Sequence, residues 1–521
     1  MIRYFAGVQD RLWYNNNKIV VSHHHALLSM YTTLLRDAGE ELSLTQRVLE
    51  MAVCGHQVST SEMLKIAVER RTPLTLWQKM QTVIFIVKTL LCSKADAKKA
   101  EKIGEQFRLD FDNFTSADAL FSYLTASHAN LTKVFLLHTR MSMASTVWQT
   151  VLLSILSEGK TDLSEEHLQD IALLLVDKQK AISAQVPVDM KKLSKVIKQS
   201  EKWRELTNLP PKKMAVWMQI NCPEAFRLLE DITRRYAHRN VKELDLMTTT
   251  WGLDNTPLLS MIQTLLRSEH SILEKETIPE VDTDVVDKLR SPRKSTTRWL
   301  IRWLAGLASS AAARREMSKD ASLRVVHQLR LGYMRLATLM AQEGRLPTPQ
   351  LVWYCTHYEL GTLLGSSNPA LLHKISRRQR SWQQWDQLQF PEVMVGTPEP
   401  IQLGSHPTIT SREWVQGTLV CTGSVQGRVC VLLSCIDTQS LQAGDILITH
   451  STDVGWTPLF PLLSGVVTEL GGLISHGAVV AREYGLPCIV GATNATLVFK
   501  TGDKVFMDGK SGRIHKVFET S

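Results

Sequence analysis

Up to about residue 390 this chain spaces its apolar side chains by three and four; beyond about residue 410 it spaces them by two. A repeat near 3.6 residues lies on one face of a helix, and an alternation lies on one face of a strand. The change of period therefore divides the chain into units of different architecture. Its 521 residues are also too many for a single core. The expected architecture is multidomain. A large all-α region covers 1–390, a linker or hinge covers 391–407, and a mixed α/β domain covers 408–521.

Several helical signals support the first region. Thr72 and Pro73 make a good start, because Thr caps and Pro fits the first helical position. Leu76, Met80, Val83, Ile84, Val87, Leu90 and Leu91 then recur at helical spacing. Ser43 and Gln46 have capping-box spacing ahead of Val48, Leu49 and Met51. Trp148, Val151, Leu152, Ile155 and Leu156 form another stripe, with Gly159 as its expected stop. Asn208–Lys213 and Glu276–Pro279 read as linkers, and no fixed-period repeat is present.

The stretch 391–407 is rich in Pro and Gly and has no helical period. After it, strands are expected at Thr418–Cys421, Arg428–Leu433, Asp445–Thr449, Val466–Glu469, Cys488–Val490, Lys504–Met507 and Arg513–Val517. Turns are expected at Gln426-Gly427, Ala443-Gly444-Asp445, Thr501-Gly502-Asp503 and Asp508-Gly509. One helix is expected to open near Ser475-His476 and to stop at Gly485 and Pro487.

Charge is uneven. The formal net charge is +9, yet residues 288–380 carry 17 basic and 4 acidic side chains. Either these are solvated helix faces or they form a surface for an anionic partner. Nucleic acid is the weaker reading, because no stacking platform of aromatics accompanies the charge. Residues Met1–Trp13 lack the apolar core of a signal peptide, and the apolar stretches Val83–Val87 and Trp299–Ala313 are too short or too charged to span a bilayer. A cytoplasmic protein with no membrane partner is expected. The eight cysteines form no CxxC pair and read as reduced thiols. His23-His24-His25, with His56, is a poor metal site, since consecutive side chains diverge. No metal ligands are assigned.

The chemistry concentrates in Val467–Gly491, VTELGGLISHGAVVAREYGLPCIVG. A strand runs into a double glycine, and Ser-His then opens a helix. The glycines allow a sharp turn close to a ligand. The first helical turn presents unpaired N–H groups and the positive end of the dipole, which stabilise a phosphate. A histidine there can use one ring nitrogen as nucleophile while the other is held by a hydrogen bond. The plainer alternative is a surface histidine after a common glycine turn.

A long ordered set of motifs extends this pattern: Gly423–Val429, Gly444–Leu447, Thr452-Asp453, Trp456–Leu459, Gly465–Thr468, Gly471-Gly472, Ser475-His476, Ala481–Glu483, Gly485–Pro487, Gly491, Gly502-Asp503 and Asp508-Gly509. On these residues 417–517 resemble the mobile phosphohistidine domain of the phosphoenolpyruvate-utilising enzymes, a group that includes phosphoenolpyruvate synthase, pyruvate phosphate dikinase and rifampin phosphotransferase. The resemblance implies a C-terminal α/β phosphohistidine swivelling domain in which His476 carries a phosphoryl group. It implies that Thr468, Gly471, Gly472 and Ser475 shape the phosphate pocket, with Arg482 as a further candidate or a surface ion pair. Ile474 stands where some relatives carry a regulatory threonine, and Val454 where many carry proline.

Upstream, residues 342–364, Arg377-Arg378 and Phe390-Pro391 look like the end of the helical acceptor-binding domain of rifampin phosphotransferase-like proteins, Arg314-Arg315-Glu316 fits the same region, and before about residue 280 only helical character is recognised. The resemblance further implies ATP and Mg²⁺ as cofactors, although no glycine-rich phosphate loop is seen here. ATP would then sit on an ATP-grasp domain, either a separate chain or a missing N-terminal part. The phosphoenolpyruvate barrel that follows the histidine domain in some relatives is not seen either. The expected function is a phosphotransferase component of dikinase type, serving an unknown small-molecule acceptor. The alternative is a helical interaction or regulatory protein that keeps the fold without turnover.

Overall fold

The structure is a computed structural model. It describes residues 75–156, 166, 167, 170, 174, 182–240, 244–267, 285–290, 294–386, 413–421, 423–435, 440–473 and 475–517. The triple histidine, His56, the Ser43 and Thr72 caps, Gly159, Glu276–Pro279, the 391–407 stretch and Ile474 lie outside the described residues.

Three long helices frame the first region: α1 (Leu76–Gln106), α2 (Ala117–Leu156) and α7 (Ser295–Gln342). They pack on one another along their lengths. Close approach is possible because Gly104 of α1 lies against Ala321 of α7, where a Cβ would meet the Ala321 backbone at 2.7 Å. Between α2 and α7 come α3 (Ile182–Lys198), α4 (Pro211–Asn221), α5 (Pro223–Arg235) and α6 (Thr256–Arg267). The 208–213 stretch is not wholly a linker, since Pro211 stands at the first position of α4, where its missing N–H is harmless. The chain leaves α7 through Gly344, whose φ of +72° lets Arg345 N–H reach back to the Met340 carbonyl. Then follow α8 (His357–Gly365), capped by Thr356 and Glu359 in a capping box, and α9 (Pro369–Asp386).

The basic stretch is only in part a solvated face. Arg315, Arg330 and Arg378 are buried. Arg330 donates to the carbonyls of Asp245 and Leu246. Arg378 binds both carboxylate oxygens of Glu359, at 2.6 and 3.0 Å. No described helix is long and apolar enough to cross a membrane. None of the described cysteines is in a disulfide bond.

The strand-containing part is a mixed eight-stranded sheet: β1 (Trp414–Gln416), β2 (Thr418–Cys421), β3 (Val425–Val431), β4 (Ile446–Thr449), β5 (Gly465–Thr468), β6 (Cys488–Val490), β7 (Lys504–Asp508) and β8 (Arg513–Lys516). Their spatial order is β1-β8-β7-β3-β4-β5-β6-β2, with β3 to β6 parallel. The helix α10 (His476–Glu483) connects β5 to β6, and the short α11 (Ala495–Val498) follows β6. Gln426-Gly427 is not a turn: both residues lie inside β3, where a Cβ on Gly427 would already be 3.4 Å from the Gly444 carbonyl and Ile446. β1 had no sequence signal at three residues.

Alternation sends successive side chains of each strand into different cores. Val429, Ile446, Ile448, Val467 and Ile489 join Val505, Met507 and Ile514 on one face. Cys430, Leu447, Val466, Cys488 and Val490 point to the other, where α10 packs. That second core is continuous with the helical region. Trp456, Leu459, Phe460 and Leu463 share it with Leu152, Met190, Leu193, Ile197, Trp217 and Leu304. A separate core joins α1, α2, the C-terminal half of α7 and α8.

Candidate functional site

The site forms where the β5–α10 connection meets α7. At the end of β5 the chain turns through Gly471, with φ of +114°. A Cβ there would lie 3.0 Å from the Ser475 side chain and 4.0 Å from Thr468 Oγ1. Glycine is thus required on both conformational and steric grounds. Ser475 N–H donates to the Gly472 carbonyl at 3.0 Å, which closes the turn and sets His476 as the first residue of α10. Thr468, Gly471, Gly472 and Ser475 are therefore brought together beside the helix start. The Thr468 hydroxyl is buried and has no hydrogen-bond partner among the described residues.

His476 is held from both sides of the join. Its Nε2 lies 3.0 Å from Thr457 Oγ1. Its Nδ1 lies 3.6 Å from Glu316 Oε2 on α7, an ion-pair distance rather than a hydrogen bond. The imidazole and the carboxylate are each only 8% exposed. Thr457 is delivered by a 3₁₀ turn over Val454–Leu462, capped by Asp453, whose carboxylate accepts from Gly455 N–H at 2.9 Å. α3 packs across this turn and also touches α10. Gly477 has no room for a side chain, because a Cβ would run into Thr452 Oγ1.

Electrostatics favour an ionised Glu316. Burial alone would raise its carboxyl, but contact with His476 and the charges of Arg315 and Lys319 outweigh burial and hold it well below the usual range. Arg315 donates to Glu316 Oε1 through Nε and Nη2, at 3.3 and 3.0 Å. A carboxylate facing Nδ1 favours the tautomer with the proton on Nδ1. Nε2 then keeps its lone pair and accepts from the Thr457 hydroxyl. Such a nitrogen can attack phosphorus.

Arg482 is placed differently from the rest. It lies six residues along α10, about 120° around the helix from His476. Burial lowers its guanidinium to about 10, with smaller influences from Cys421, Cys488, Arg315 and Glu483. Thr452, Thr457 and Glu316 stand in sequence motifs that by themselves assign them no role. Thr457 and Glu316 are the two contacts of the imidazole, and the Thr-Pro and Arg-Arg-Glu motifs were the available signals.

Residues 441–512 match the family described as PEP-utilising enzyme, mobile domain. Residues 138–316 match the rifampicin phosphotransferase fourth domain. The matched helical segment thus begins well upstream of the segments noted from sequence, and this match runs as far as Glu316. A rifampicin phosphotransferase of Bacillus cereus is 37% identical over 182 residues, covering 35% of this chain and 21% of that protein. One of Bacillus subtilis is 29% identical over 304 residues, covering 54% and 34%. An uncharacterized protein of Mycobacterium bovis is 31% identical over 281 residues, covering 54% and 30%. The chain spans between 21% and 34% of the length of these relatives. Its matched segments are thus similar to the phosphoenolpyruvate-utilising enzymes. Within that group it resembles the rifampicin phosphotransferases.

Proposed function

We propose that this chain is a phosphotransferase component in which His476 accepts a phosphoryl group from ATP and passes it to a small-molecule acceptor held by the helical region. The observation that carries this reading is the imidazole set between Thr457 and Glu316. Nε2 forms the bond to phosphorus as a P–O bond of ATP breaks. Glu316 keeps the Nδ1 proton and balances the charge of the phosphoimidazole. The buried Thr468 hydroxyl and the Gly471–Ser475 turn supply donors for the phosphoryl oxygens.

The nucleotide and its Mg²⁺ belong, in this reading, to an ATP-grasp domain and not to the residues described here. The overall reaction is ATP plus acceptor and water giving AMP, phosphorylated acceptor and phosphate. The names of the relatives make a rifampicin-type hydroxyl compound the first acceptor to try. Use of ATP would place the work in the cytoplasm.

The test is incorporation of label from β-labelled ATP. The chain is assayed alone and with the ATP-grasp domain of a relative, beside His476→Ala. Acid-labile, base-stable label that is absent from the variant supports the carrier. No label under either condition, with the added domain shown to be active, would instead favour a non-catalytic interaction protein.

A further inference from the structure

The helical region holds a pair of imidazoles that the phosphoryl chemistry does not use. His128 of α2, Tyr333 of α7 and His357, the first residue of α8, meet where the three helices come together. At the helical rise, Tyr333 lies about 25 Å further along α7 than Glu316. His128 Nε2 is 2.9 Å from Tyr333 Oη, and Tyr333 Oη is 2.7 Å from His357 Nδ1. His357 Nε2 is 3.0 Å from Thr125 Oγ1, whose hydrogen goes to the Phe121 carbonyl at 2.7 Å. Counting hydrogens fixes every direction. Thr125 has no second hydrogen to give, so His357 donates to it through Nε2–H and keeps its lone pair on Nδ1. Tyr333 donates to that lone pair and must accept from His128 Nε2–H. Phe121 stacks on His357 with centroids 4.4 Å apart, and the two imidazoles meet edge to face at 4.6 Å.

Burial, and to a lesser degree the neighbouring His357, push His128 down to about 4, and burial lowers His357 as well. Both rings are therefore neutral at physiological pH, which is the form that binds metal. Two imidazoles that share a zinc ion about 2 Å from each nitrogen have centroids about 5 Å apart, close to the separation seen. His357 also has the outer support of a metal ligand, since its second nitrogen is held by Thr125. Both histidines are half-buried and Thr125 is exposed, which leaves an approach from solvent. No three His, Cys, Asp or Glu residues stand together as a metal site among the described residues, so a third protein ligand has to be of another type.

We propose that His128 Nε2, Tyr333 Oη and His357 Nδ1 bind a divalent ion of the zinc and copper class, with water in the remaining position. Tetrahedral ligands about 2 Å from zinc stand about 3.3 Å from one another, so each imidazole nitrogen has to retreat from the phenol oxygen by only about half an ångström. The protons balance. The ion replaces the hydrogen between Tyr333 Oη and His357 Nδ1, and that proton leaves to solvent. The His128 proton moves from Nε2 to Nδ1 by exchange with water. Burial holds the phenol above its usual range, so it ionises only as the ion enters. One proton is released for each ion bound. Because the ligands stand on three helices, the bound ion ties α2, α7 and α8 together and stabilises the chain.

The probes are Zn²⁺ and Cu²⁺ alone, titrated into the full chain in a non-chelating buffer. Calorimetry in a second buffer of different ionisation heat counts the protons released. The wild type should show a saturable site that gives up one proton per ion and, with Cu²⁺, a visible charge-transfer band from the phenolate. His128→Ala and His357→Ala should each weaken zinc binding at least ~10-fold. Tyr333→Phe keeps the ring and should lose both the copper band and the released proton; it decides the matter if a histidine variant does not fold. Alanine at His23, His24 and His25 together should leave the affinity of this site within about twofold. Four results would each overturn the site: no saturable binding by the wild type, unchanged affinity in both histidine variants, no phenolate band or proton release in the wild type, or binding lost in the His23–His25 variant instead. Metal uptake is read without ATP or label, so failure of the carrier reading shows separately, as missing label on His476.

Discussion

At the scale of single residues, the imidazole of His476 is tuned by two contacts that can be removed one at a time. Thr457→Val keeps the shape and deletes the hydroxyl that donates to Nε2. We expect label uptake to slow about 10-fold, corresponding to about 1.4 kcal/mol in the barrier, with Thr457→Ser restoring most of it. Timed quenching of the labelled protein measures this; equal rates for valine and threonine would refute the contact's role. Glu316→Gln acts on the other nitrogen. It removes the charge that holds the proton on Nδ1, and uptake should fall further than in Thr457→Val. The histidine itself was legible because glycines, a small polar residue and a helix start occur together in a short segment. Its pairing with Glu316 was not legible. Nothing in either local sequence says that α7 comes to lie over α10.

Among the elements, strands with clear alternation were readable to within a few residues at their ends, and α10 was readable from its glycine and proline stops. Elements whose form depends on a neighbour were not. β3 passes through Gln426-Gly427, which has the composition of a turn, because both residues pair with Phe506 and Val505 of β7. The 3₁₀ turn carrying Thr457 holds two prolines and has no clean period. It is specified by the Asp453 cap and by packing beneath α3. Gly477→Ala tests a tight contact of this kind. The added methyl must displace Thr452, and we expect about 1–3 kcal/mol of destabilisation in urea unfolding. An unchanged midpoint would show that Thr452 yields freely. In the helical region, Arg378→Ala removes the two-pronged partner of the Glu359 carboxylate, which is 10% exposed, also caps α8, and is left with Thr356 N–H and the more distant Lys374. A loss of about 3 kcal/mol is expected by the same measurement, well above the typical ~1 kcal/mol for losing a cap alone.

For the whole molecule, the seating of the strand-containing part on the helices should depend on acid in a specified direction. Glu316 has a depressed carboxyl in the folded chain, so its contribution is complete above the ordinary carboxylate range, near pH 4, and is lost as pH falls through its folded value. The difference in melting temperature between the wild type and Glu316→Gln should be flat near neutrality and shrink below about pH 4. A difference that grows on acidification would contradict this assignment. The two architectures themselves were legible from the change in apolar period. Their shared core was not, since Trp456 and Phe460 look alike in sequence whether they pack on their own sheet or on Leu193 and Trp217.

That shared core has a thermal consequence. Separating the two parts would hydrate Trp456, Leu459 and Phe460 together with the helical residues that cover them. Hydrating apolar surface raises the heat capacity, so the balance between joined and parted forms must curve with temperature, and its apolar component weakens on cooling. Any motion that lifts His476 away from Glu316 is therefore coupled to the warmth of the solvent as well as to the chemistry of the ring.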